Sequence, residues 1–319
     1  MDKMVVNDAE CIKCGKCVKI CPNNALGFED ELPRLLHPEL CTECGICEEQ
    51  CPTAAIKLNG QSAAHRISKA VPGDSRLLEA SKVLIGLLGM DNHPVGVTML
   101  KEGQSIPENF SLFGSPTRHC VSIHMASLGV SIYVPASQHA CAAAKAAMGI
   151  SPLPEKVASG QIPYMHGLAA SQESAAKVMA EVPRLPAGSA VGTLVGPLAS
   201  FVNDPDVVIL VVKPKQAMWV ANALLYEKGS PRITASFAGM QASCADVTTV
   251  PIKTMEVNFT MGCYGCRSAG KLEDDELYVG VPFNKLEEVL NGLKGLRRAM
   301  GKLDETAHRE EESRKGCGS

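Results

Sequence analysis

From about Asp74 onward the chain alternates between helix-like and strand-like patterns of apolar residues. Leu77, Leu78, Leu84, Ile85, Leu87 and Leu88 recur at spacings that give a helix one broad apolar face, and Gly89 stands where that helix should end. Val95–Leu100 and Val207–Val212 are short continuous apolar runs, the pattern of buried strands. Residues 131–134, 190–195, 233–237, 255–259 and 277–281 predict further strands. Helices are expected over 141–148, closed by Gly149, and over 171–181, with Ser171 as N-cap and Glu173 in the first turn. Another should run over 215–226, with Gly229 just beyond it. The last predicted helix has Asn284 as N-cap and Glu287 placed to complete a capping box, with Leu286, Val289, Leu290, Leu293 and Leu296 on its apolar face. Beyond Met300 the residues turn polar, and a disordered tail is expected over 301–319.

Residues 1–60 break this rhythm: they hold eight of the fourteen cysteines. Small and polar residues after Asn59 read as a linker, set at 61–74, that separates this segment from a second domain over 75–300. A net charge of −3 over 319 residues gives no basic footprint for nucleic acid. No run approaches the roughly 18 apolar residues of a membrane helix, and the N-terminus reaches a cysteine before a signal peptide could form. A cytoplasmic protein without membrane insertion is therefore expected. There, dense cysteine points to metal or redox chemistry more than to disulfides. Aromatic residues are scarce at 4%, which favours compact α/β packing of aliphatic side chains.

The cysteines of the first segment form two runs, Cys11-x-x-Cys14-x-x-Cys17-x-x-x-Cys21-Pro22 and Cys41-x-x-Cys44-x-x-Cys47-x-x-x-Cys51-Pro52. Two-residue gaps let one tight loop present three thiolates to a cubane, while the fourth cysteine, followed by proline, leaves the loop. Gly15 and Gly45 lie inside the loops, where backbone N–H groups can approach sulfur. Structural zinc also uses Cys-x-x-Cys pairs, but rarely duplicated eleven-residue runs ending in Cys-Pro. Residues 4–60 resemble the bacterial-type ferredoxins that hold two [4Fe–4S] clusters. The resemblance implies crossed ligation, with Cys11, Cys14, Cys17 and Cys51 on one cluster and Cys41, Cys44, Cys47 and Cys21 on the other. The expected architecture is an α+β ferredoxin-like two-cluster module followed by an α/β domain with a mixed sheet.

Six cysteines remain. Cys317 lies in the polar tail and reads as incidental, whereas Cys120, Cys141, Cys244, Cys263 and Cys266 fall at or near predicted element ends. The helix dipole at the start of 141–148 favours a thiolate at Cys141. Several segments carry a second likeness: His119-Cys120, His139-Ala140-Cys141, Gly196-Pro197-Leu198, Pro214 to Met218, Gly239 to Cys244, and Cys263-x-x-Cys266-Arg267. On these, residues 75–297 resemble the uncharacterised archaeal cysteine-rich family, domain of unknown function 169. That resemblance implies a cysteine-centred site and no settled activity.

Three readings of the five cysteines stay open: a third iron–sulfur centre, a dithiol or nucleophilic site at Cys263 and Cys266, and inert buried thiols. His119, His124 and His139 would be the nitrogen donors of a zinc or mixed-ligand variant. Cys141, Cys263, Cys266 and Arg267 are the candidate catalytic residues. Gly192-x-x-x-Gly196-Pro197 lacks the Lys-Ser/Thr of a phosphate loop. Asp204, Asp206 and the acidic run 273–276 read as solvated turns.

The expected function is electron transfer, with the module feeding a cysteine-centred site, a redox partner protein and a small-molecule substrate both admitted. The alternative is a carrier or metallocentre assembly protein that docks a partner enzyme. Crossed ligation and the linker predict that Cys11→Ala and Cys41→Ala each remove one cluster and leave residues 75–297 folded. Anaerobic iron analysis with circular dichroism checks this, and loss of the second domain's ellipticity in either variant would refute it.

Overall fold

The computed structural model describes residues 3–21, 23–41, 45–58, 73–226, 229, 232–240 and 242–316, with backbone alone for Glu49 and for 303–316. Pro22, Cys44, Cys317 and most of the expected linker lie outside the described residues.

The first segment contains β1 (Met4–Val6), α1 (Lys16–Ile20), β2 (Leu26–Glu29), β3 (Leu32–Leu35), α2 (Ile46–Glu49) and β4 (Ile56–Leu58). Strand β1 pairs antiparallel with β4, and β2 with β3, so the start of the first cysteine run is tied to the end of the second. The duplication is visible in the backbone. Gly15 and Gly45 both enter their short helices in the left-handed region, with φ of 70° and 80°, a turn that glycine makes without strain.

The second domain follows. It begins with α3 (Ser75–Leu88), β5 (Val95–Leu100), β6 (Ser111–Leu112), α4 (His119–Ser127), β7 (Ile132–Pro135) and α5 (Ala142–Ala147). It continues through α6 (Glu155–Ala158), α7 (Gln161–Met165), α8 (Gln172–Glu181), β8 (Gly192–Pro197), β9 (Val207–Val212) and α9 (Pro214–Tyr226). Last come α10 (Ser243–Asp246), α11 (Thr249–Thr254), β10 (Asn258–Thr260), α12 (Tyr264–Ser268), β11 (Leu277–Pro282) and α13 (Phe283–Gly316).

The strands form one seven-stranded mixed sheet in the order β10-β11-β9-β5-β8-β7-β6, with only β6 and β7 parallel. Every residue of β9 is buried because both faces are covered. Val208, Leu210 and Val212 face a layer that includes Leu77 and Leu84 of α3, Val220 of α9 and Leu286 and Val289 of α13. Val207, Ile209 and Val211 face the opposite layer, which contains Cys120 and Val121 of α4, Cys244 of α10 and Cys266 of α12. Ile20 and Ile46 of the first segment, both buried, belong to that second layer as well. Among the described residues no helix is long and apolar enough to cross a membrane.

Helices α3, α5, α8 and α9 and strands β5, β7, β8, β9 and β11 form where the apolar pattern puts them, within a few residues. Four expectations need correction. No strand forms over 233–237, because the Asn258 side chain takes the backbone bonds a strand partner would need: Asn258 Oδ1 accepts from Ser236 N and Asn258 Nδ2 donates to Ser236 O, each at 2.8 Å. The strand expected at 255 starts at Asn258, since Met255 closes α11 in the left-handed region. Asn284 is not a cap: α13 begins at Phe283, whose N–H donates to Asp206 O at 3.2 Å. The tail continues α13 to Gly316, consistent with its Glu, Lys, Arg and Ala content, all good helix formers.

The acidic turns are also structured. Asp206 Oδ2 accepts from Met99 N at 2.7 Å, Asp204 pairs with Arg76 at 3.0 Å, and Asp275 pairs with Lys213 at 2.8 Å. Because Ile20 is fully buried in the layer that carries α4, Ile20→Ala should cost about 2–5 kcal/mol. Chemical denaturation of the full chain checks this, and a change under about 0.5 kcal/mol would show that the isoleucine is not in the core.

Candidate metal centre

The ferredoxin loops present sulfur together with donors to it. Ala25 N and Ala55 N each donate to the Sγ four residues before, Cys21 and Cys51, at 3.3 Å. At Cys51 burial opposes ionisation, but the N–H groups of Thr53, Ala55 and Ile56 and the Thr53 hydroxyl outweigh it and lower the thiol's pKa. Burial pushes the Cys17 thiol up to about 11, so a soft cation is the natural partner of its thiolate. The donor set and the N–H groups aimed at it suit iron–sulfur clusters.

In the second domain three thiols meet in the buried layer. The sulfurs of Cys120, Cys244 and Cys266 lie within 4.8 Å of one another, and their residues are 3%, 3% and 0% exposed. They come from three elements: α4, α10 and α12. Cys263, the residue before α12, adds a fourth sulfur 3.6 Å from Cys266. Gly270 makes this packing feasible, since a Cβ there would stand 2.8 Å from the Cβ of Cys120 and 2.7 Å from Cys266 O.

The thiols share their charge. Hydrogen bonds from Cys244 and Cys266 hold the Cys120 thiol well below its ordinary range, while Cys244 is raised well above it by its bonds with Cys120 and Cys266 and then by burial. The hydrogen bond with Cys266, then burial, raises Cys263 as well. Binding a cation would favour the thiolates that burial opposes here.

Cys141 is placed differently. It is the residue before α5, where the dipole was expected to favour its thiolate, but burial outweighs the backbone donors and raises its pKa. It lines a cavity of about 740 Å³ shared with Cys120, Cys244, Cys263, Arg118 and Tyr264. Arg118, which has no acidic partner among the described residues, gives this cavity a positive group; the apolar pattern offered no signal for it.

The histidines do not join the thiols among the described residues. His124 Nε2 meets Lys19 O at 2.9 Å, and His139 Nε2 meets Thr193 Oγ1 at 3.2 Å. His119 is fully buried, and burial lowers its pKa to about 3. Thr248 Oγ1 donates to Cys244 O at 2.9 Å, so it accepts from His119 Nε2–H, also at 2.9 Å. His119 is thereby a neutral strut that ties α4 to the turn carrying Cys244. Arg267, a candidate catalytic residue, donates instead to Met261 O at 2.7 Å, to Glu276 O at 3.1 Å and to Glu273 O. It clamps the loop after α12.

A layered α/β domain with a buried thiol cluster, preceded by a ferredoxin-type segment, is the class of protein that fold and site define. Residues 83–292 match the uncharacterised ArCR family, and residues 10–55 match the 4Fe-4S dicluster domain. The chain belongs to the ArCR family and carries an iron–sulfur electron-transfer module ahead of the family domain. It is similar to the uncharacterized protein MJ0308 of Methanocaldococcus jannaschii, 29% identical over 227 residues that span 70% of this chain and 96% of that protein. No solved structure matches it.

Thr248→Val leaves His119 and Cys244 O without their shared partner in the core and should cost about 1–3 kcal/mol. Thermal and chemical unfolding measure it, and an unchanged midpoint would mean that the strut contributes no net stability.

Proposed function

We propose that the protein is an iron–sulfur redox protein whose ferredoxin module delivers electrons to the cysteine centre of the second domain. Two [4Fe–4S] clusters bound by the eight ferredoxin cysteines would supply one-electron transfer. The observation that carries the reading is helix α4, which touches both sites. His124 meets the module at Lys19 O, and Cys120 sits one turn earlier on the same face, about 6 Å along the helix axis.

Two further features support it. Ile20 and Ile46 immediately precede Cys21 and Cys47, which crossed ligation assigns to one cluster, and both isoleucines lie in the layer that holds Cys120, Cys244 and Cys266. The cavity at Arg118, Cys141 and Cys263 offers room for a small anionic substrate beside the thiols, which favours a reducing enzyme over a pure carrier.

In the anaerobic full-length protein, flash reduction of the module should be followed by reoxidation at a rate independent of protein concentration. Cys266→Ala should slow that step at least tenfold while the module's absorbance at rest is unchanged. Equal, concentration-dependent reoxidation in both proteins would leave the module as a free-standing carrier.

A further inference from the structure

The spacing of the thiols says what kind of centre they form. A single tetrahedral ion with metal–sulfur bonds of about 2.3 Å holds its four sulfurs about 3.8 Å apart. A cubane spreads its ligands wider, because each thiolate binds a different iron and points away from the other three. The same chain contains a yardstick. Among the described residues, no three of Cys11, Cys14, Cys17 and Cys51 have sulfurs grouped within 4.8 Å, although all four belong to a ferredoxin-type ligand set. Cys120, Cys244 and Cys266 do; Cys263 lies outside that trio and adjoins it through Cys266, 3.6 Å away.

The local architecture agrees. Cys263 and Cys266 flank the first turn of α12, a Cys-x-x-Cys arrangement that brings two sulfurs to one point. Cys120 and Cys244 close on that point from α4 and α10, and Gly270 removes the side chain that would hold Cys120 away from Cys266. No histidine or carboxylate is grouped with these thiols among the described residues, so sulfur makes a soft donor set, which selects iron or zinc. Cys141 stands outside this group, on the cavity side.

We infer that Cys120, Cys244, Cys263 and Cys266 bind one tetrahedral thiophilic metal ion, iron or zinc, and not a third cubane. The inference shares with the electron-delivery reading only the premise that these thiols form the second site. It places one metal atom, without inorganic sulfide, at the end of helix α4 nearest the cavity.

The test is metal and acid-labile sulfide analysis of the full chain isolated without oxygen, with X-ray absorption at the iron and zinc edges. Expected is one metal atom beyond the roughly eight irons and eight sulfides of two cubanes. An extra atom of zinc should show four sulfurs at about 2.3 Å and no metal–metal scattering. Extra iron should raise the iron-to-sulfide ratio above one. Cys266→Ser should lose only that atom, and Cys141→Ser should keep it. Loss of about four irons with four sulfides in Cys266→Ser overturns the single-ion centre while sparing the electron-delivery reading. Zinc as the extra atom upholds the single ion and removes metal as the electron acceptor. No metal, with Cys263 and Cys266 joined as a disulfide, overturns the single-ion centre and leaves the electron-delivery reading with a reducible disulfide as its acceptor. The analysis of the unaltered chain decides the matter even if a variant fails to fold.

Discussion

Helix α4 is buried on nearly every side: of its nine residues, only His124 escapes full burial. It sits between the central sheet, the ferredoxin segment and the turns that carry Cys244 and Cys266. A helix so enclosed cannot shift toward one neighbour without leaving a gap against another, since cores are packed to crystal-like density. The distances at both of its ends follow from that. The Lys19 carbonyl contact at His124 and the sulfur contacts at Cys120 are set by one rigid element of little more than two turns.

The polar groups in this layer show how the enclosure is tolerated. His119 stays neutral and uses Thr248, and Thr248 in turn satisfies the Cys244 carbonyl, so one hydroxyl serves two buried groups. Asp246, in the same turn as Cys244, is held up to about 7 by burial despite the Ala238 N–H it accepts. The Tyr278 hydroxyl is buried with no partner among the described residues, and burial followed by the nearby thiols raises its pKa well above the usual range.

The ferredoxin-type segment was legible because its spacing is local: three cysteines of each run fall within one short loop. The two-faced strands were legible for a similar reason, as the continuous run of β9 shows. Helix α4 was not, because His119, Ser122 and Ser127 are buried beside its apolar residues, so no periodic stripe marks it. Residues 233–237 misled because Asn258 competes through its side chain, a pairing that no pattern within the segment encodes. The convergence of Cys120 with Cys244 and Cys266 depends on strand order. With β10 at the edge of the sheet and β11 beside β9, the turns around β10 fold back over α4; spacing along the chain says nothing of this. The family resemblance marked the cysteines as a group, and only the structure separated Cys141 from the other four.

Strands β7, β8 and β9 all lie in the chain between Cys120 and Cys244, so the thiol cluster draws together points that are far apart in sequence. Closing so long a loop is entropically costly before the sheet exists, whereas each ferredoxin loop closes over a few residues. During synthesis the module can therefore complete its two cysteine loops while the ribosome is still making the sheet. The second site has no such head start, and its last sulfur arrives only when the domain is nearly whole. Maturation of the protein is thereby ordered in time, and a chain truncated before Cys266 would carry a complete ferredoxin-type segment beside an unfinished thiol cluster.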